Sequence, residues 1–290
     1  GRAFFDEDTW EHTPKRIENL FGCEFSYREH STPWLTPVTR DPDEFARVLD
    51  RAEAIDVRSW ALPEPYLEEW ERRKAAGKRL PKLGNGSRGP ATVMTSVLDT
   101  DIVSFWLYDH PDLMRRFRDI LTQGMIELNT VLREFSGNER LGWYILDDNS
   151  HLFSPALYRE FCFPVLQQVM DVLAPGDAPR YQHSDSAMGH LIELQYELGI
   201  RAVNYGPTVD AGEIRAKMPD AFIHGQMPPF TLRNGTPGEI RQRVIEDFEK
   251  AGATGGLDVT TAGSLAAGTG VGRMRWFMQV VQEECRYDQA

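Results

Sequence analysis

Cysteine is scarce in this chain of 290 residues: there are three, Cys23, Cys162 and Cys285, far apart and in no CxxC pair. That argues against a disulfide-stapled scaffold and predicts a reducing compartment, the cytoplasm. Basic charge is also in short supply. Lys plus Arg number 32 against 44 Asp plus Glu, a formal net charge of −12, so a face that binds nucleic acid is not expected. The sum leaves room for a local basic pocket that takes an acidic ligand. No apolar run approaches the ~18 residues of a membrane span, so no membrane partner is expected. No charged-then-apolar leader follows Gly1, although a first residue other than Met leaves a trimmed N-terminus open. GxxxxGK(S/T) does not occur, which removes the glycine loop that cradles nucleotide phosphates in P-loop proteins.

What is present is the composition of a soluble globular protein, 41% hydrophobic and 26% charged. A single domain over 1–290 is expected, with two parts of different texture. Residues 1–87 are irregular, with helices at 41–58 and 62–79 and a breaker, LPKLGNGSRGP, that ends regular structure. From 88 to 290 the chain alternates. Strands are predicted at 91–98, 142–147, 179–183, 202–205, 221–224 and 256–259. Helices are predicted at 101–108, 111–135, 155–173, 187–198, 210–218, 237–251 and 272–284. Ser154-Pro155, Asp210 and Thr236-Pro237-Gly238-Glu239 are helix starts.

Such alternation means βα units and a parallel sheet. The expected fold is an α/β protein of the (β/α)8 barrel type, with its remaining strands in the irregular first third or upstream of Gly1. Polar residues cluster where each strand ends: Asp147 and Asp148, His183 and Asp185, Asn204 and Tyr205, His224 and Gln226, Asp258 and Thr260. A barrel gathers those ends at one rim, whereas a doubly wound sheet spreads them along an edge.

The candidate chemistry lies at that rim. Asp147, Asp148 and His151 follow one strand, and a carboxylate there can act as acid, base or anchor, or simply cap the next loop. His183 and Asp185 are two apart on an extended segment and so point the same way. With His224 they make a plausible metal set, since Zn²⁺ accepts His and Asp ligands. Equally, a strand-end His can be satisfied by a backbone carbonyl. HGQMPPF (224–230) reads as a rigid turn near a ligand, and TTAGSLAAGTG (260–270) as a small-residue loop able to offer N–H groups. Tyr158, Phe161, Phe163, Trp276 and Phe277 read as core.

The string ILDDNSHLFSPALYREFCFPVLQQVMDVL resembles the uroporphyrinogen decarboxylase superfamily. There an Asp-bearing strand precedes Ser-Pro-x-x-(Tyr/Phe)-x-x-Phe-x-x-Pro, which here is Ser154-Pro155, Tyr158, Phe161 and Pro164. RGPATVMTSVL resembles the superfamily's Gly-Pro strand, and DHPDLMRRFRDIL its following helix. Val209-Asp210 resembles its aspartate-bearing helix start, and Gly225-Gln226-Met227-Pro228-Pro229 its Gly-Asn-x-Asp-Pro loop. The resemblance runs from about 88 to 284 and implies a (β/α)8 barrel.

It also implies one of two activities: cofactor-free decarboxylation of uroporphyrinogen, or methyl transfer involving corrinoid proteins, with zinc activating a thiol. The zinc enzymes read His-x-Cys where this chain has His183-Ser184-Asp185, and carry another Cys where it has Gly263. The decarboxylases carry an N-terminal arginine motif, in which Arg2 does not stand, and a late His that also falls near Gly263.

The leading expectation is a methyltransferase moving a methyl group between a small methylated substrate, such as an aryl or alkyl methyl ether, and a corrinoid partner protein. His183, Asp185 and His224 would hold a divalent metal such as zinc. Asp147 or Asp148 would protonate the leaving group, with His183 and Tyr205 in the catalytic set. His151, Asn204, Gln226, Asp258 and Thr260 would contact substrate. A decarboxylase of a tetrapyrrole or other acidic molecule is the alternative, and a non-catalytic barrel subunit the second. A homodimer stays open.

Overall fold

A computed structural model describes residues 10–26 and 34–287; Arg2 lies outside the described residues. Two compact units divide them. The first takes the residues up to Ser87, with Val93–Leu141 and Asp171–Leu173; the second takes Arg88–Thr92, Gly142–Met170 and the residues from Ala174 on.

The first unit is helical. It holds α1 (Ile17–Leu20), a small antiparallel ladder of β1 (Phe25–Ser26) and β2 (Trp34–Leu35), α2 (Pro42–Glu53), α3 (Val57–Trp60) and α4 (Glu64–Ala75). Strand β3 (Gly86–Arg88) and α5 (Pro90–Leu98) lead out of it and back, before α6 (Thr100–Asp109) and α7 (Pro111–Ser136). Helix α2 starts where the sequence says it should: Asp41 accepts the Glu44 N–H at 2.9 Å, and Pro42 fills the first helical position. Helix α7 buries Met114, Phe117, Leu121, Met125, Leu128 and Leu132 along one stripe. Phe117 meets Phe21 and Phe45 edge-on, with ring centroids at 4.7 and 5.1 Å. Gly137, at φ 57°, ends α7 in the left-handed conformation that a side chain there would resist.

The second unit alternates strand and helix: β4 (Trp143–Leu146), α8 (Pro155–Phe161), α9 (Phe163–Leu173), β5 (Arg180–Ser184), α10 (Ile192–Glu197) and β6 (Ala202–Tyr205). It continues through α11 (Ala211–Lys217), β7 (Phe222–Met227), α12 (Pro229–Asn234), α13 (Pro237–Asp247), β8 (Leu257–Thr261) and α14 (Val271–Glu284). The six strands of the main sheet lie in chain order, β3-β4-β5-β6-β7-β8, and the four pairings from β4 to β8 are parallel. A doubly wound sheet reverses its order at a switch point; this α/β sheet does not, and its order is that of a (β/α)8 barrel.

Alternation along the strands gives the sheet two unlike faces. Trp143, Ile145, Val203 and Ile223 are buried together with Tyr158, Phe161, Val165, Leu166 and Ile214 of the helices. On the opposite face Tyr144, Leu146 and Phe222 remain about 40% exposed, at 44%, 39% and 44%. That second face carries the rim chemistry described below. A further cluster of Met227, Leu232, Ile240, Val244, Phe277 and Val280 joins β7 to α12, α13 and α14.

One expected strand is a helix. Residues 91–98 form most of α5, although their Val and Thr content suggests a strand. The strand's place is taken just before, by Gly86–Arg88, and Pro90 opens the helix. The first turn of α5 then has N–H groups to satisfy, and the Thr92 N–H finds Asp147 Oδ1 at 2.8 Å. The expected helix 155–173 is also divided, at Cys162, with Pro164 in the opening turn of α9.

Candidate functional site

Register places the site residues in rows. Tyr144 pairs with Tyr181, Leu146 with His183, His183 with Asn204, and His224 with Asp258. Because side chains alternate, this set shares the open face.

Asn204 is the hub. Its side-chain amide donates to the carbonyls of His224 and Thr261, the latter at 3.0 Å. Those partners can only accept, so the amide orientation is fixed. Asn204 Oδ1 is then an acceptor, taking the Gly263 N–H at 3.1 Å and His183 Nδ1 at 2.8 Å. His183 therefore carries its proton on Nδ1. Its Nε2 stands 3.3 Å from Asp185 Oδ1. A bare imidazole nitrogen opposite a carboxylate is repulsive unless a proton or a metal cation lies between them.

Asp148 completes the group. Its Oδ1 accepts the Asp185 N–H at 2.7 Å, and its backbone carbonyl accepts from the Ser186 hydroxyl. Ligand atoms of Asp148, His183 and Asp185 all lie within 4.8 Å of one another. An imidazole nitrogen held by a hydrogen bond at its other nitrogen, together with two carboxylates, suits a divalent ion such as zinc. A thiolate-rich zinc site does not fit, because no cysteine belongs to the group. Cys162 is buried in the helical layer, where desolvation pushes its thiol pKa well up. Gly263 explains the spacing. A Cβ at this position would overlap Asp185 Oδ1, so the carboxylate occupies the space that a side chain at 263 would fill. His224, expected as the third ligand, lies outside the group. Its Nδ1 sits 3.1 Å from Asp258 Oδ2, and Asp148 takes its place beside His183.

Next to this group is a cavity of about 610 Å³, lined by Tyr144, Tyr181, Asn204, His224, Asp258, Thr260, Thr261 and Gly263. Asn204, Asp258 and Thr260, expected to touch substrate, are all in its wall. The two tyrosines were not anticipated, yet period 2 points to one of them: Tyr181 is two residues before His183 and must share its face. Burial and the charge of Asp185 raise the Tyr181 pKa.

Four expected site residues lie elsewhere. Asp147 is fully buried, and a Cβ on Gly89 would overlap its carboxyl group. Burial pushes its pKa up to about 7, against the pull of hydrogen bonds from Thr92 and Ala91. Tyr205 is buried on the helix-facing side, and its hydroxyl has no partner among the described residues. His151 is exposed, with Nδ1 on the Asp148 carbonyl at 2.8 Å. Gln226 is buried and donates to the carbonyls of Gly206 and Val209, at 3.2 and 2.8 Å. It braces the turn after β6.

Comparison with known proteins follows the same outline. A sequence of Prochlorococcus marinus (strain MIT 9303) called uroporphyrinogen decarboxylase is 24% identical over 216 residues, 71% of this chain and 60% of that protein. A uroporphyrinogen decarboxylase of Gloeobacter violaceus is 28% identical over 167 residues, 54% of this chain and 45% of that protein. The matches thus span roughly half of these relatives' lengths. The solved structure of a methyltransferase from Methanosarcina mazei superposes with a TM-score of 0.63 at 17% identity, over 92% of this chain and 77% of its own, a likeness of fold. The family model for uroporphyrinogen decarboxylase (URO-D) matches residues 17–284, and the chain belongs to that family.

Proposed function

We propose that this chain is an enzyme of methyl-group transfer, passing a methyl group between a small methylated substrate, such as a methyl ether, and a corrinoid carried by a partner protein. The observation that carries this reading is the His183–Asp185 contact at 3.3 Å, with His183 Nδ1 committed to Asn204. That pairing calls for a proton or a metal cation, and Asp148, His183 and Asp185 are the residues to hold the cation. A divalent ion there would supply Lewis-acid polarisation of the substrate heteroatom. The protein's own part is to hold the ligand set. Asn204 fixes the imidazole, the Asp185 N–H orients Asp148, and the bare backbone of Gly263 leaves Asp185 its space. The adjacent cavity takes the rest of the substrate. The name of the Methanosarcina structure agrees with this reading.

Decarboxylation of an acidic tetrapyrrole is the second reading, favoured by the names of the two curated relatives. The cavity speaks against it. Its lining contains Asp258 and no Lys or Arg, whereas a substrate with several carboxylates needs cationic partners. The test is to mix the metal-loaded protein with reduced cobalamin and a panel of methyl ethers, following methylcobalamin by absorbance. Methylcobalamin formation that EDTA abolishes and Asp185→Ala lacks supports the proposal. No methylcobalamin, with carbon dioxide released from uroporphyrinogen instead, overturns it in favour of the second reading.

A further inference from the structure

The His183 pattern recurs two strands away. His224 Nδ1 lies 3.1 Å from Asp258 Oδ2, and an ionised carboxylate can only accept. The proton of neutral His224 is therefore on Nδ1, and Nε2 is an acceptor with no protein partner among the described residues. Two aromatic rings neighbour it. Tyr181 meets it edge-on at 5.7 Å, and Phe222 lies tilted at 4.9 Å. An imidazole fixed in tautomer and in plane, at the wall of a cavity of about 610 Å³, is a built acceptor.

The rest of the wall narrows what it accepts from. Asp258 Oδ1 is a second acceptor beside it, and no Lys or Arg among the described residues lines the cavity, so an anion is disfavoured. A ligand must instead bring a donor. Tyr144 and Tyr181, paired in register, give two adjacent rings suited to a flat apolar body.

We infer that His224, held by Asp258, accepts a hydrogen bond from a hydroxyl group, and that the cavity takes a small phenol whose ring lies against Tyr144 and Tyr181. The inference deepens the methyl-transfer reading and rests on it in one respect: a phenol is what an aryl methyl ether becomes when its methyl group is transferred away and its oxygen takes up a proton. His224 and Asp258 then recognise the hydroxyl group of the phenol, while Tyr144 and Tyr181 select an aryl over an alkyl body.

The experiment is calorimetric titration of the full chain with phenol, anisole, cyclohexanol and benzoate, alongside side-chain ¹⁵N NMR of histidine. Phenol is expected to bind, to shift His224 Nε2, and to bind at least tenfold more tightly than anisole, which lacks the donor. Cyclohexanol, which lacks the flat ring, should also fall tenfold behind, and benzoate should not bind. His224→Phe and Asp258→Ala should each weaken phenol at least tenfold while leaving the metal-induced thermal shift intact, which shows that both variants fold. Anisole matching phenol, benzoate binding best, unchanged phenol affinity in both variants, or no phenol binding at all overturns the inference. Phenol binding without methyl transfer sinks only the proposed function; methyl transfer without phenol binding sinks only this inference.

Discussion

His183 Nε2 and Asp185 Oδ1 face each other at 3.3 Å while His183 Nδ1 is tied to Asn204. A metal ion seated between them in place of a proton would bind the folded state alone and so stabilise it. At a free concentration 100 times its dissociation constant the gain is about 2.7 kcal/mol. For a chain of this size, with about 2.1 cal/mol/K of unfolding entropy per residue, that corresponds to a rise in Tm of about 4–5 °C. Thermal scans with and without Zn²⁺ or Mn²⁺, reversed by EDTA, should show it. His183→Ala and Asp185→Ala should lose the shift; a shift that survives in both variants would locate the metal elsewhere.

Asn204 makes four hydrogen bonds through one side chain, to His183, Gly263, His224 and Thr261. Asn204→Ala leaves partly buried partners unsatisfied and should cost about 1–3 kcal/mol in urea unfolding. It should also weaken metal binding 10- to 100-fold, because the His183 tautomer is no longer fixed. Histidine ¹⁵N shifts report that tautomer directly. A variant that loses stability but keeps both metal affinity and the Nδ1–H signal would leave Asn204 a purely structural role.

Gly263, at φ 83°, is held by two constraints, its backbone conformation and the Asp185 carboxylate. Gly263→Ala should destabilise by about 1–2 kcal/mol for the left-handed backbone alone. It should also expel Asp185 from its position and abolish the metal-induced shift. The two effects separate in a double variant. With Asp185→Ala present, adding Gly263→Ala should cost less than it does alone, and the shortfall measures their coupling. Strict additivity would show that the two positions do not compete for space.

Much of the scaffold was legible because period and punctuation are local signals. Helix α13 follows the Thr236 capping box, and strands β5 to β8 fall within a few residues of their expected places. Residues 91–98 misled because β-branched side chains favour a strand, and the preference is overridden by burial and by a bond from the Thr92 N–H to the distant Asp147, which no local pattern reveals. In the site, the i, i+2 rule paired His183 with Asp185 and could have added Tyr181. It could not tell which neighbour completes the ligand set. Asp148 and His224 are both strand-end residues, and only the fold shows that Asp258 has already claimed His224. Nor could sequence separate Asp147 from Asp148, which are adjacent but face opposite sides of the sheet's end, one buried against Thr92 and the other beside Asp185.

That buried carboxyl group gives the protein a pH signature of its own. Asp147 has an ordinary pKa of 3.8, which burial raises to about 7 in the folded chain. A folded-state pKa above the unfolded one means that the native protein holds this proton more tightly. The stabilisation from Asp147 is therefore fully present below pH about 4, declines as pH rises, and is gone above about 7. A shift of about three units corresponds to about 4 kcal/mol as an upper figure, less whatever the surroundings relax. Asp147→Asn keeps an acceptor for the Thr92 N–H and has no charge to gain. Against the parent it should be near neutral at pH 4 and progressively more stable towards pH 8, by a few kcal/mol, in urea unfolding at matched ionic strength. If the stabilities of parent and variant run parallel across that range, the carboxyl is ionised throughout and its hydrogen bonds from Thr92 and Ala91 offset its burial.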